Sequence, residues 1–311
     1  MRHLITRRHL ITRRRVVVLL GALAALVVVL GTLWRAAIRE SRGTPDRPFR
    51  IAGNLYYVGA AGVTAFLLTG PEGHVLIDGG YPESAPAIMA SIAELGFDIR
   101  DVKVLLNTHA HSDHAGGLRA LQEASGAELW VSEGDADLMA AGRNSADPAL
   151  GRLRFLGLLG FGRFPAPRID HRFQDGDTIR VGPLELTAHV TAGHTRGCTS
   201  WSFPVRDGDR ELLAVDICSL TLFPFVSLVE PEAYPGIRSD FERSFRTLRS
   251  LPADLFLASH ADMFAMRRKL RERAVADDPA APFIDPEGYR RYIDRAEARF
   301  REALAKQEQR R

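Results

Sequence analysis

Residues 107–116 read NTHAHSDHAG, with three histidines and an aspartate within six positions: His109, His111, Asp113 and His114, just after the apolar run Val102–Leu106. Imidazole and carboxylate are lone-pair donors, and a cluster of them can hold metal ions and activate water. In an extended segment, residues two apart project to the same side, so His109 and His111 can reach one ion. Asp113 and His114 follow where Ala115–Gly116–Gly117 lets the chain turn, and they face a neighbouring point. A single zinc rarely takes more than four ligands, so the cluster suits two ions better than one. Further donors stand at other strand ends. TAGHTRGC places His194 in a Gly-flanked loop after the run Leu184–Val190, and FLASHADM places His260 after Leu255–Ala258. Core packing alone does not deliver a histidine to three strand ends, whereas His74, His171 and His189 read as surface or internally satisfied side chains.

The elements that must position these residues follow from periodicity. Leu55–Val58, Thr64–Leu68 and His74–Ile77 are short apolar runs broken by Gly-rich turns, which predicts a meander. Helical spacing covers Ser84–Leu95, Leu118–Ala124 and Glu133–Ala141, with buried-strand runs at Val102–Leu106 and Glu128–Val131. The second half repeats the theme: strands at Thr178–Val181, Leu184–Val190, Ser200–Pro204, Glu211–Val215 and Leu255–Ala258, and helices at Ser239–Ser250 and Pro286–Lys306. Strands clustered on both sides of helices predict two mixed sheets packed face to face with helices outside, an αββα sandwich in the α/β class. No linker divides the halves, so residues 49–311 read as one domain. The apolar segment 151–167 reads either as a wall over a cleft or as a buried amphipathic helix.

Residues 1–15, MRHLITRRHLITRRR, carry six arginines, no acid and a duplication of RHLITRR; Val16–Leu33 then runs eighteen residues without a charge. That layout is a signal peptide or an N-terminal membrane anchor over residues 1–35, followed by a linker over 36–48. It predicts an exported, periplasmic body whose N-terminal segment engages the export machinery or the inner membrane. Setting aside the seven arginines of residues 1–35 leaves 34 basic and 38 acidic side chains, so the overall +3 charge gives no support to a nucleic-acid partner. The basic run Arg267–Arg273 reads as a solvated helix face. Cys198 and Cys218 are the only cysteines; they would be buried thiols or ligands in a reducing compartment and a disulfide in an exported chain.

HAHSDH, GHTRGCTSW and SHADMF resemble the metallo-β-lactamase superfamily, and most closely the third subclass of class B β-lactamases. NLYYVGAAGVTAFLLTGPEGHVLIDGG resembles that subclass's opening strands and PFIDPEGYRRYIDRAEARF its last helix. The resemblance runs from about Asn54 to Phe300 and implies the αββα sandwich. It further implies two zinc ions, the first held by His109, His111 and His194 and the second by Asp113, His114 and His260. Asp78 would orient ligands, although a turn-capping role before Gly79–Gly80 explains it too. Ser219 and Thr221 would donate to the substrate carboxylate, or are ordinary strand-end hydroxyls. By the same resemblance Cys198 and Cys218 form a disulfide, while other relatives place a metal-binding cysteine near this strand end.

The activity so implied is zinc-dependent hydrolysis of the β-lactam amide of penicillins, cephalosporins and carbapenems by a hydroxide shared between the ions, conferring antibiotic resistance. Asp113 would position the water or shuttle a proton. No G-x-S-x-G or S-x-x-K pattern stands near a plausible triad, so no serine nucleophile is expected. The chain is expected to act as a monomer on a small molecule. The rival is a thioester hydrolase or lactonase of the glyoxalase II type, which typically has an aspartate between the metals. Asp216 is the only candidate, and it would face differently along its strand. A closed binding site without turnover fits less well, because three protein ligands per ion leave a position open.

Overall fold

Short runs of β-branched and aromatic residues between Gly turns form the first four strands: β1 (Phe49–Ala52), β2 (Leu55–Tyr57), β3 (Phe66–Gly70) and β4 (Gly73–Ile77). They pair antiparallel in chain order. The computed structural model describes residues 47–60 and 62–310, together with Val18, Leu20, Gly21, Leu26 and Val29, which are helical. The expected signal or anchor otherwise lies outside the described residues, as does most of the 36–48 linker. Among the described residues no helix is long and apolar enough to cross a membrane.

Beyond β4 the strands run parallel, and each parallel step is bridged by a helix, as parallel pairing requires. β5 (Val102–Leu106) follows α1 (Ala85–Glu94), β6 (Glu128–Ser132) follows α2 (Leu118–Ser125), and β7 (His171–Phe173) lies beyond α3 (Ala136–Ala141). The first sheet is thus a seven-stranded mixed sheet in the order β1 to β7. The second contains β8 (Thr178–Val181), β9 (Leu184–Val190), β10 (Thr199–Asp207) and β11 (Arg210–Ile217), all antiparallel. β12 (Leu255–Ala258) joins β11 in parallel after α4 (Ile237–Ser250). α5 (Met266–Arg273) and α6 (Pro286–Glu308) close the chain. α6 starts at Asp285, whose side chain accepts from the Gly288 N–H at 2.8 Å, with Pro286 at the first helical position.

The period-2 alternation of the strands decides the layers. Phe66 and Leu68 of β3, with Val75 and Ile77 of β4, face the core shared with Trp201, Phe203 and Ala214 of the second sheet. The intervening Leu67 and Leu76 face Ile88 and Leu121 of α1 and α2. On the far side Phe256 of β12 packs on Tyr289 of α6, and Phe241 and Phe245 of α4 pack on Phe300. This is the expected four-layer sandwich of two mixed sheets with helices outside.

Several local expectations need revision. The helix expected over Glu133–Ala141 begins only at Ala136, because the preceding residues turn. Segment 151–167 is no buried amphipathic helix: a 3-10 stretch, Pro148–Leu159, is broken at Gly151 (φ 49°), and Phe155, Leu158 and Phe161 are exposed. The basic run 267–273 is not wholly a solvated face either. Lys269 is fully buried, its Nζ 3.2 Å from Asp285 Oδ2 and beside the rings of Phe256, Phe264 and Phe283. β1 and β7 escape periodicity because FRIA and HRF, each interrupted by an arginine, form no apolar run.

Candidate metal centre

All five histidines of interest, with Asp78 and Asp113, sit in loops that leave the carboxyl ends of β4, β5, β9 and β12. These loops are sewn to one another across the two sheets. Thr199 N–H donates to Thr108 O at 2.8 Å, and Thr64 N–H donates to Ser259 O at 3.1 Å. The Asp78 turn and the 107–117 loop touch so closely that a Cβ at Gly117 would collide with the Gly79 carbonyl. That contact explains why glycine follows the histidine cluster.

The rings of His109, His111 and His194 form a near-equilateral triangle, with centroids 4.9, 4.8 and 5.0 Å apart and planes 80–84° from one another. One donor nitrogen from each lies within 4.8 Å of the other two. His109 and His111 share this site although the segment carrying them is a loop and not a strand. Beside it, His114 Nε2 is 3.2 Å from His260 Nε2, and Asp113 Oδ2 is 3.4 Å from the first and 3.6 Å from the second. The sequence-expected residues therefore come together as two adjoining triads. His109 also converges with Asp113 and His114, so the two triads adjoin through it, and with Cys198 and Cys218, which offer no thiolate because they are joined in a disulfide.

The other nitrogen of His194, His111 and His114 is engaged by an acceptor. His194 Nδ1 lies 2.9 Å from Thr221 O, His111 Nε2 2.9 Å from Asp147 Oδ2, and His114 Nδ1 2.9 Å from Asp78 Oδ2. A carbonyl or carboxylate can only accept, so each holds a ring proton on that side and the facing nitrogen is the one that can offer its lone pair, once any proton of its own has left. His109 Nδ1 is 3.2 Å from the Thr108 hydroxyl. Lone pairs converging at these distances repel unless a cation lies among them, and imidazoles with one carboxylate suit zinc. The donor set fits a metal.

Electrostatics agree. Burial, reinforced by neighbouring histidines, pushes His109 well below the usual imidazole range and His194 down to about 3, so both stay neutral and able to ligate. Burial also lowers His260, with His114 adding to the effect. Burial would lower His114 as well, yet the Asp113 and Asp78 carboxylates on its two nitrogens raise it to about 10. That corner attracts positive charge. Burial would raise Asp113, but His114, His111 and His260 hold its carboxyl far below the carboxylate range.

Asp78 is buried, adopts a left-handed φ of 65°, and accepts four hydrogen bonds. Asn107 Nδ2 (3.0 Å) and Thr108 N (2.7 Å) reach Oδ1, while Thr108 Oγ1 (2.7 Å) and His114 Nδ1 (2.9 Å) reach Oδ2. A non-glycine residue in that region costs of order 1–3 kcal/mol, which the bonds offset. Ser219 and Thr221 are not equivalent: Ser219 is buried with its hydroxyl accepting from Thr221 N–H at 3.2 Å, whereas Thr221 is exposed. Asp216 is buried, both oxygens lack a hydrogen-bond partner among the described residues, and burial raises its pKa strongly. It is not among the convergent donors.

Sequence reading missed two carboxylates. Asp147 orients His111. Asp135 accepts from Ala110 N (2.9 Å), Thr195 Oγ1 (2.8 Å) and Gly197 N (2.8 Å), clamping the His111 loop to the His194 loop. Asp135 sits before a helix and Asp147 before a proline, so each looks like an ordinary cap or turn residue.

The family described as the metallo-beta-lactamase superfamily matches residues 58–260. Among solved structures, native FEZ-1 metallo-beta-lactamase from Legionella gormanii is 36% identical over 86% of this chain and 98% of that one, with a TM-score of 0.79. BJP-1, a subclass B3 metallo-beta-lactamase of Bradyrhizobium japonicum, is 33% identical over 86% and 97%, with a TM-score of 0.76. Among curated proteins, a hydroxyacylglutathione hydrolase of Jannaschia sp. (strain CCS1) is 32% identical over 69% of this chain and 68% of its own length. One of Rhodopseudomonas palustris (strain BisB18) is 28% identical over 64% and 62%. The chain spans about two thirds or less of these curated relatives.

Proposed function

The chain belongs to the metallo-beta-lactamase superfamily, and within it we propose a di-zinc hydrolase of β-lactam amides that confers resistance to those antibiotics. His109, His111 and His194 hold the first ion and Asp113, His114 and His260 the second. The observation that carries this reading is the pair of adjoining donor triads, together with similarity covering nearly the full length of FEZ-1. Zinc, when bound, supplies a water acidified toward neutral pKa and a Lewis acid for the carbonyl.

The remaining work falls to the chain's own groups. Asp147, Asp78 and the Thr221 carbonyl hold the ring protons of His111, His114 and His194 away from the centre. Asp113 is held ionised, so its Oδ2 serves as an acceptor that positions water and is a poor resting place for a proton. Phe223, with its ring 5.2 Å from that of His194, screens one side of the centre. Export to the periplasm fits the Cys198–Cys218 disulfide, which persists in an oxidising compartment.

Thioester hydrolysis is the second reading, favoured by the names of the curated relatives. Enzymes of that type typically place an aspartate between the metals. Asp216, buried and apart from the convergent donors, does not fill that place. The deciding experiment measures zinc content and compares turnover of a penicillin, a cephalosporin and a carbapenem with that of a lactone and an S-acylglutathione, each with and without chelator. Chelator-sensitive β-lactam turnover supports the first reading. Turnover of the thioester alone overturns it.

A further inference from the structure

Beside the metal centre lies a cavity of about 750 Å³, a size typical of small-molecule sites. Two of its walls also carry the metal centre. Thr221 and Phe223 line it and contact His194, while Asp262 and Met263 line it immediately after His260. The third wall is one face of α6, bearing Arg295 and Arg299. Of the other basic residues of that helix, Arg291 pairs with Glu287, Arg301 with Glu297 and Lys306 with Glu302, while Arg290, also without an ion pair among the described residues, does not line the cavity. Arg295 and Arg299 make no ion pair among the described residues, either with Asp262 on the same cavity or with Glu302.

Arg291, Arg295 and Arg299 succeed one another at i,i+4, a spacing at which like charges destabilise a helix. An anion seated between the last two reverses that repulsion. Their Cα atoms are one turn, about 6 Å, apart, so two planar forks can converge on one carboxylate. The hydroxyls expected to hold a substrate carboxylate contribute less here, because Thr221 lines this cavity and Ser219 does not.

We propose that this cavity is a subsite for a carboxylate carried by the substrate away from its scissile bond, clamped by the guanidinium groups of Arg295 and Arg299. The inference rests on the hydrolase reading of the adjoining centre and names the class of substrate arm it prefers. Binding there is charge-assisted, so it weakens with salt.

The test uses zinc-loaded protein, wild type and R295Q/R299Q, with R301Q as a helix-surface control. The substrates are one β-lactam with a side chain ending in a free carboxylate and the methyl ester of the same side chain. In the double variant, KM for the acid should rise about tenfold with kcat nearly unchanged, while KM for the ester stays put. Calorimetry with the ring-opened acid should show the same weakening, and R301Q should behave as wild type. Equal changes for acid and ester, or none for either, overturn the subsite. If wild type hydrolyses neither compound, the hydrolase reading fails. Calorimetry then still decides the subsite, because unchanged affinity of R295Q/R299Q for the ring-opened acid overturns it.

Discussion

Replacing Asp78 by asparagine separates the role of its charge from that of its shape. Asparagine tolerates the left-handed φ of 65° and keeps one acceptor oxygen, which can still take the Asn107 and Thr108 N–H donors at the Oδ1 position. Its amide nitrogen must then stand where Oδ2 stood, facing the Thr108 hydroxyl and His114 Nδ1. The hydroxyl can turn and accept. His114 can accept only by moving its proton to Nε2, the atom 3.2 Å from His260 Nε2 and 3.4 Å from Asp113 Oδ2. A protonated Nε2 cannot ligate. Loss of an orienting partner costs roughly 10–100-fold in metal affinity, or about 1.4–2.7 kcal/mol, and here it should fall on the second ion. His109, His111 and His194 do not touch Asp78, so the first ion should bind within about threefold of wild type. Competition with a chromophoric chelator resolves the two affinities. The metal-free variant should lose about 2 kcal/mol of stability, the worth of a charge-assisted hydrogen bond. Two zinc ions bound as tightly as in wild type would refute the claim that Asp78 fixes the His114 tautomer.

Three further outcomes follow from the geometry. His194→Ala and His109→Ala should each reduce β-lactam turnover to background while leaving the fold intact by circular dichroism; substantial turnover in either would remove that residue from the centre. Thiol titration of the folded, unreduced protein should find no reactive thiol, and C198S/C218S should lose about 3 kcal/mol in urea unfolding, as expected for a bridge across 20 residues. Burial lowers Lys269 from its ordinary 10.5 to about 8, so between those pH values the unfolded chain holds a proton that the folded chain has released. Stability should therefore rise with pH across that window through this group, and Lys269→Met should flatten the rise in melting curves taken from pH 7.5 to 10.5.

Much of the site was legible before any coordinates, because metal ligation constrains residue type as well as position. Histidine at three strand ends, with H-x-H-x-D-H at one of them, is a pattern that packing does not produce, and apolar runs bounded by turn residues mark most of the strands. What sequence could not reach depends on partners distant along the chain. Asp135 reads as a cap until the fold brings Ala110 and Gly197 to its carboxylate. Asp147 reads as the start of a turn until His111, 36 residues earlier, lies against it. Lys269 reads as surface, because a helix face can be identified as buried only once Phe256, Phe264 and Phe283 have been placed over it.

The sequence by itself marked the candidate donors, more of them than one ion takes, and the two-sheet frame, since these follow from side-chain chemistry and from periods of 2 and 3.6 residues. Only the tertiary structure decided which nitrogen of each ring faces the centre, which hydroxyl lines the cavity, and which arginines are left without a carboxylate. Those choices are made by hydrogen bonds and ion pairs between segments tens of residues apart, whose distances are set when the sheets close on one another.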